Sequence, residues 1–345
     1  PACVRASMCL VVARACDAVA RRLYSPWGKL AGLSLEDSSL GWDLTASLAA
    51  PLWTIATCVD HAVGDDGSRA SRAAMESSGE HCLISLMDVC RMGTEEGLGE
   101  VGGPASRAAA NAAIVILTSI VSRSRLPLSK RAVARATQLT HICFHGGLMK
   151  HLASVPTVFS PCCALLVSII RARKAEMARQ TAMITVACHA LLDALKAWNA
   201  IEDEKNALAE RTKTPRDEEE VAIHEEAMRR AANSMAPVYE SAGKVVGSLY
   251  AMHLLADAVA ACCGGGAWGG GDDRKSGDGY VRGIGAVAES ALKPGIFALF
   301  DAVQDRELQQ LYTMFGNAMG GALRLKFKAL IDEYRLVHKY DPKKG

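Results

Sequence analysis

Apolar residues along this chain recur with the roughly 3.6-residue period of an α-helix. Strict alternation of apolar and polar residues, which is typical of strands, is scarce. One helical face is formed by Leu165, Ile169 and Ile170, and another by Leu323, Phe327, Leu330, Ile331, Tyr334 and Val337. The pattern therefore predicts an all-α protein.

The predicted helices follow one another without intervening strands in a long chain rich in Ala and Leu. This succession favours an armadillo/HEAT-like α-solenoid of antiparallel helix pairs over a closed bundle. Prolines predict the breaks between helices, because proline lacks the amide proton that a helix interior needs. The predicted breaks are at Pro26, Pro51, Pro104, Pro127, Pro156, Pro161, Pro215, Pro237 and Pro294.

We expect two parts, an N-terminal helical-repeat part of residues 1–125 and a C-terminal helical domain of residues 126–345. Segments rich in glycine, serine or charge interrupt the helical pattern in both parts. They predict loops near residues 65–79 and 92–103 and a flexible Gly-rich insertion over 262–280. They also predict a flexible charged insertion over 202–226, either a solvated turn between helices or a part-helical segment.

The first residues, PACVRASMCLVVARACDAVARRLY, are rich in arginine and poor in acids, as some targeting peptides are. We expect a helix instead, because their apolar residues form one stripe. The longest near-continuous apolar run, Ala112–Val121, is shorter than the ~20 residues of a membrane-spanning helix, so we expect a soluble protein. Since the chain begins with Pro, we expect a piece of a longer protein.

Amino-acid composition and net charge exclude few classes of protein or of partner. The chain has 345 residues, of which 50% are apolar, and a mean hydropathy of +0.11, so it can bury a sizeable core. A net charge of +2 means that any nucleic-acid contact must come from local basic patches. Most of the twelve cysteines lie in apolar segments of predicted helices, where cysteine acts as a small apolar residue. This use of cysteine is typical of proteins in a reducing compartment.

Motifs for metal or phosphate binding are incomplete. The Gly-rich run lacks the glycine before Lys275 and the preceding strand that a P-loop needs. Two groups of histidine and cysteine lack the paired spacing of a zinc site, so we expect structural residues, no metal and no cofactor. These groups are His141, Cys143, His145 and His151, and Cys58, His61, His81 and Cys82.

Two histidines have an aspartate four residues later on a predicted helix, His189 with Asp193 and His253 with Asp257. Each pair could orient a general base. No serine elbow, zincin motif or dinucleotide fingerprint accompanies them. We therefore expect no enzyme, and an enzyme that uses these pairs remains an alternative.

The segment FALFDAVQDRELQQLYTMFG, Phe297–Gly316, carries two apolar faces with a polar corner between them. We expect two helices, the second capped by Asp305. Only 5% of the chain is aromatic, so this concentration of aromatic residues indicates a packing site. We expect Phe297, Phe300, Leu311 and Phe315 to pack against the stripe from Leu323 to Val337, leaving Gln309, Gln310 and the basic residues exposed.

The last predicted helix is locally basic. Such a helix could bind RNA phosphates or an acidic partner, or it could be the terminal capping helix of a solenoid. The basic residues are Arg324, Lys326, Lys328, Arg335, His338, Lys339, Lys343 and Lys344.

The runs LKPGIFALFDAV, ELQQLYTMF and RLKFKALIDEYRLVHKY, within residues 292–340, resemble the C-terminal domain of the unhealthy ribosome biogenesis protein 2 family, also called nucleolar pre-ribosomal-associated protein 2. The Gly-rich insertion and Gly320-Gly321 depart from that family's pattern. The matching positions form a candidate interaction surface: Pro294, Gly295, Asp301, Leu308, Gln309, Leu311, Arg324, Phe327, Leu330, Glu333, Tyr334 and Lys339.

The resemblance implies a non-enzymatic assembly factor of the nucleus and nucleolus for the large (60S) ribosomal subunit. It implies a helical scaffold that acts in early (27S) pre-rRNA processing, together with another large helical scaffold and a DEAD-box RNA helicase. Pre-ribosomal RNA is a further partner, contacted directly or indirectly, with no membrane and no small-molecule substrate. The alternatives are a direct RNA-binding module, through the basic C-terminal helix, and a generic helical-repeat scaffold for protein-protein interaction in another pathway.

Overall fold

The computed structural model describes residues 114–115, 117–118, 121–122, 130–145, 155–213, 216–263, 283–318 and 321–339. In these residues the regular elements are helices and no strand is present, so the predicted all-α class is confirmed there. The helices that we number are α1 (Lys130–His145), α2 (Val155–Ala172), α3 (Lys174–Met177), α4 (Thr181–Thr212), α5 (Glu218–Gly243), α6 (Ser248–Cys262), α7 (Ala286–Ala302), α8 (Asp305–Ala318) and α9 (Gly321–Lys339).

Contacts divide the chain into two units, Pro1–Ala187 and Cys188–Gly345. In the first unit α2 contacts both α1 and α3. The face of α2 that was predicted from Leu165, Ile169 and Ile170 is buried, as the helical period requires. The predicted domain boundary between residues 125 and 126 is not tested by this division and stays a prediction.

In the second unit, α5 and α7 approach each other through small residues. A Cβ atom built on Gly295 would lie 2.8 Å from both the Cα and the carbonyl oxygen of Ala236. One built on Gly243 would lie 3.1 Å from the carbonyl oxygen of Ala298. These two contacts advance in the same order along both helices, so α5 and α7 run in the same direction.

Helix α6 runs opposite to α7. Its first residue, Ser248, hydrogen-bonds to Glu307 just beyond the end of α7. Near its other end, the carbonyl oxygen of Ala261 accepts a hydrogen bond from the Ile284 amide, at 3.0 Å, just before α7 begins. The second unit therefore alternates the directions of successive helices from α5 to α7.

Gly285 starts α7 with a backbone that disfavours other residues. Its φ angle is +78°, and a Cβ atom there would lie 2.9 Å from the side-chain oxygen of Asn199. The same Asn199 side chain donates a hydrogen bond to the carbonyl oxygen of Gly283, at 3.1 Å. This glycine lets the chain turn closely past α4 before entering the helix.

Three of the predicted proline breaks are wrong. Pro161, Pro237 and Pro294 lie inside α2, α5 and α7. A proline removes one helical hydrogen bond, but these helices are embedded in tertiary contacts that favour their continuation. Pro156, in contrast, lies in the first turn of α2, where a missing amide proton costs little.

The charged segment 202–226 is a turn between two helices and is mostly helical, which agrees with the part-helical alternative. Residues 202–212 belong to α4 and residues 218–226 to α5, which Asp217 caps by accepting a hydrogen bond from the Glu219 amide at 2.9 Å. The helices continue because this segment has a buried centre. Glu202 is buried there and pairs with Arg216, and Trp198 makes an edge contact with the ring of His224.

The start of α8 differs by one residue from its predicted cap. Asp305 is the first helical residue, not the residue before the helix. The capping contact comes from Glu307, whose carboxylate accepts a hydrogen bond from the Gln304 amide at 3.1 Å. A first-turn acid that reaches back in this way satisfies an amide that the helix leaves unpaired.

The buried charges at the α4–α5 hairpin predict an acid-sensitive stability. Burial lowers the pKa of His224 below its ordinary 6.5, and the Glu202 carboxylate 3.8 Å away only partly offsets this. The unfolded chain thus binds the proton more readily, so stability is lost as the pH falls through 6.5 towards the folded-state pKa. We expect the urea midpoint to fall between pH 7.5 and pH 5.5, and less so in His224→Phe.

Equal pH slopes in the parent and His224→Phe would contradict this prediction. Glu202 acts at lower pH, where burial raises its pKa but the interaction with Arg216 and the nearby positive charges lower it below 4.5 overall. Its contribution is lost as the pH falls below that value, so the two groups are separated by their pH ranges.

Several predictions lie outside the described residues. They include the N-terminal stripe, the loops near 65–79 and 92–103, and the Gly-rich insertion from residue 264 onwards. The same holds for His151, Cys58, His61, His81 and Cys82.

Candidate interaction surface of the C-terminal helices

An aromatic cluster joins α7, α8 and α9. The ring of Phe300 stacks on Phe327 with centroids 5.8 Å apart, and Phe315 meets Phe327 edge-on at 5.1 Å. Tyr334 contacts Phe300 at 5.1 Å and Phe297 at 5.8 Å. The predicted packing of Phe297, Phe300 and Phe315 against the α9 stripe is therefore confirmed. Leu311 is buried as well.

Polar contacts connect α7 and α9 around this cluster. Lys326 pairs with Glu289 at 2.5 Å, and Lys293 pairs with Glu333 at 2.7 Å. At the other end of α7, the Tyr334 hydroxyl donates a hydrogen bond to Asp301, at 2.6 Å. The contacts advance in the same order along both helices, so α9 runs in the same direction as α7.

The hydrogen bond from Tyr334 to Asp301 gives a testable contribution to stability. Replacing Tyr334 with phenylalanine keeps the ring but removes the hydroxyl, and we expect the free energy of unfolding to fall by about 0.5–1.5 kcal/mol. Partial burial and the bond to Asp301 raise the pKa of Tyr334, so the bond persists at neutral pH. Urea unfolding at pH 7.5 measures the change.

Tyr312→Phe is the matched control, because the Tyr312 ring packs under Arg324 at 4.4 Å and phenylalanine preserves that face. We expect its urea midpoint to match the parent. Equal losses in the two variants would show that the Tyr334 hydroxyl contributes nothing specific.

The positions within residues 292–340 that match the family pattern are called signature positions below. Most of them stabilise the packing of the second unit. Gly295, Leu311, Phe327 and Leu330 are buried, and Glu333 and Tyr334 make the contacts described above. Leu308 is half-buried. Pro294, Asp301, Gln309 and Arg324 are exposed, and Lys339 ends α9.

The buried stripe of α9 is shorter than predicted. Leu323, Phe327 and Leu330 are buried and Tyr334 is half-buried, but Val337 is 57% exposed. The α7 contacts given above reach α9 only as far as Tyr334, so in the described part of the chain α7 does not cover the next turn. The predicted continuation of the stripe to Val337 is wrong for this reason.

A second face of α9 was not predicted. Leu325 is 70% exposed and Leu336 is 62% exposed, and both lie away from the buried stripe. Exposed Lys328 and Arg335 lie on the same side of the helix. The only sequence signal was the placement of two leucines off the main helical period, which the aromatic pattern obscured.

Comparison with family models gives one decisive match, to the Urb2/Npa2 family, over residues 106–343. The chain belongs to the Urb2/Npa2 family. This confirms the resemblance that residues 292–340 indicated, and the match begins far upstream of them. The Urb2/Npa2 family is associated with ribosome biogenesis. Searches of curated proteins and of solved structures give no match.

In this Urb2/Npa2 chain the two histidine–aspartate pairs are not arranged as predicted. His189 on α4 pairs with Asp257 on α6, and Asp193 pairs instead with Lys196 at 2.7 Å. His253 is exposed. Helices that cross bring His189 and Asp257 together, which a spacing of four residues within one helix could not indicate.

Two thiols in the same unit are poor nucleophiles. Burial raises the pKa of Cys188 and of Cys262 to about 12, so both are protonated at neutral pH. Among the described residues, no group of three or more His, Cys, Asp or Glu side chains could hold a metal ion. None of the helices in that part of the chain is long and apolar enough to cross a membrane.

Proposed function

We propose that the chain is a non-enzymatic assembly factor for the large (60S) ribosomal subunit. It acts in early (27S) pre-rRNA processing as a helical scaffold within pre-ribosomal particles of the nucleus and nucleolus. The observation that carries this proposal is membership of the Urb2/Npa2 family over residues 106–343. The signature positions are consistent with a scaffold, since most of them hold α7, α8 and α9 together.

The geometry of the second unit supports an armadillo/HEAT-like scaffold. Helices α5, α7 and α9 run in one direction, and α6 runs in the opposite direction between α5 and α7 in the chain. Alternation of this kind is what stacked antiparallel helix pairs produce. Extended surfaces of such stacks bind several proteins at once, as an assembly scaffold must.

The side-chain chemistry supports a non-enzymatic role. Among the described residues of the second unit, Cys188 and Cys262 carry raised pKa values, so neither is an activated nucleophile that could act with the paired His189 and Asp257. The partners that we propose follow from the family resemblance: other large-subunit assembly factors, among them a large helical scaffold protein and a DEAD-box RNA helicase. Pre-ribosomal RNA reaches the complex through them or by direct contact.

Purification of the tagged full chain and sequencing of the RNA that accompanies it tests the proposal. We expect large-subunit precursors to be enriched over mature ribosomal RNA and over small-subunit precursors. An untagged strain processed in parallel gives the background. Absence of enrichment would overturn the proposal and favour a helical scaffold of another pathway.

Direct RNA binding through α9 is the second candidate, because Lys328 and Arg335 are exposed there. Phosphate contacts release counterions, so affinity would fall steeply with salt. Titration of the purified chain with labelled pre-ribosomal RNA fragments at low and physiological salt measures this. Binding that is absent or insensitive to salt would reject direct phosphate recognition.

A further inference from the structure

The outer face of α9 exposes an apolar line. Leu325 and Leu336 lie about three helical turns apart, which places both on the same side of the helix. Exposed Ala329 and the exposed carboxylate of Asp332 lie between them on this side. Two of the nine large apolar side chains that are exposed in the described residues therefore lie on one side of α9. Exposed apolar residues that share one face are candidates for a contact surface.

Basic side chains run beside this apolar line. Lys328 and Arg335 lie about two helical turns apart, both exposed. In the described residues, no ion pair is recorded for either of them. The other lysine of this region, Lys326, is already paired with Glu289 inside the unit. Two cations therefore remain to meet a partner along the same edge of the helix.

We propose that the outer face of α9 binds an amphipathic helix of another protein, with an aliphatic stripe and a row of glutamate or aspartate beside it. The aliphatic residues cover Leu325 and Leu336, and the acids pair with Lys328 and Arg335. The proposal rests on the scaffold function proposed above and names the chemistry of one partner. It fits the general mode in which a helix packs its apolar face on an apolar groove.

The described residues favour a protein over RNA at this face. Phosphate binding needs several converging cations, but Lys326 is neutralised by Glu289, and Lys293 by Glu333. Arg324 lies over the ring of Tyr312. Exposed Asp332 lies between the two basic residues and repels phosphate and carboxylate alike, so it does not decide between them. The exposed leucines do, because they offer an RNA backbone nothing to bind but can be covered by an aliphatic stripe.

A designed peptide probes the face directly. It is a labelled peptide of about three heptads, with leucine at the a and d positions and glutamate at e and g. Two control peptides replace the glutamates with lysine or the leucines with serine. We expect the full chain to bind the acidic leucine peptide at least about tenfold more tightly than either control, by fluorescence anisotropy. Equal affinities would overturn the proposal.

Variants locate the binding on α9. Leu325→Ser with Leu336→Ser, and separately Lys328→Glu with Arg335→Glu, should each weaken peptide binding about tenfold or more. Leu208→Ser with Ile223→Ser is the matched control, because those residues are similarly exposed on α4 and α5. It should bind like the parent. Since all six residues are exposed, circular dichroism should show unchanged helix content.

A single-stranded RNA of similar length completes the test. If RNA displaces the peptide and its binding is lost in the Lys328→Glu, Arg335→Glu variant but retained in the double-serine α9 variant, the face is an RNA site and the proposal fails. If the RNA neither binds the chain nor displaces the peptide, the result supports an amphipathic helix as the occupant of the α9 face.

Gradient sedimentation from cells separates this proposal from the function on which it rests. If the parent chain does not sediment with large-subunit precursors, the scaffold function fails. If the parent and the double-serine α9 variant sediment with them equally, and the peptide does not bind, only the α9 proposal fails. Loss of the variant alone from the particles, with the Leu208→Ser, Ile223→Ser control retained, supports both.

Discussion

Replacing Phe327 with alanine should lower the free energy of unfolding by about 3–5 kcal/mol. The ring is fully buried, stacked on Phe300 and met edge-on by Phe315, so alanine leaves a cavity between three helices. Close-packed neighbours relax only partly into a cavity of this kind, so most of the lost contacts are not replaced. Urea unfolding followed by circular dichroism measures the loss as a lower midpoint.

Leu325→Ala is the matched control for this result, since the residue lies on the same helix but is 70% exposed. We expect its free energy of unfolding to stay within about 0.5 kcal/mol of the parent. A similar loss in both variants would mean that α9 itself, and not the aromatic cluster, carries the effect. A Phe327→Ala variant as stable as the parent would show that the ring has no packed environment.

Gly295→Ala should lower the free energy of unfolding by about 2–3 kcal/mol, even though alanine is the better helix former. The added methyl group would lie 2.8 Å from backbone atoms of Ala236, and a backbone cannot rotate away as a side chain can. Helices α5 and α7 must then separate, which opens the close contact between Gly295 and Ala236. Thermal unfolding gives the change in midpoint.

Two further variants test the cause. Gly321→Ala should be neutral or slightly stabilising, because no atom lies within 4 Å of a Cβ at that position. Adding Ala236→Gly to Gly295→Ala should not restore stability, since the obstructing atoms belong to the backbone of Ala236. Full rescue by that second change would refute the backbone explanation.

Gly295 also explains part of the family signature in physical terms. A Pro-Gly pair in a helical pattern predicts a break, yet here both residues lie within α7. The ring of Pro294 is exposed to solvent, whereas Gly295 faces α5. The pair combines a proline that the surface tolerates with a glycine that the helix contact requires.

The sequence predicted those features of the candidate surface that depend on the helical period of apolar residues, and it did not predict the others. The period of the aromatic residues correctly indicated that Phe297, Phe300 and Phe315 pack on α9. This period did not indicate at which residue of α9 the contact with α7 ends, so Val337 was wrongly included in the buried stripe. Exposed Leu325 and Leu336 were missed, because nothing in a local pattern says whether a helix has one neighbour or two.

The sequence by itself determined the all-α class of the described residues, the buried face of α2, the packing of the aromatic residues on α9 and the family, because these follow from short-range periodicity and a run of particular residues. Only the tertiary structure decided which polar groups meet and which helices continue through proline. His189 finds Asp257 rather than Asp193, and α5 continues through Pro237, because contacts between helices outweigh the local preferences of a single helix.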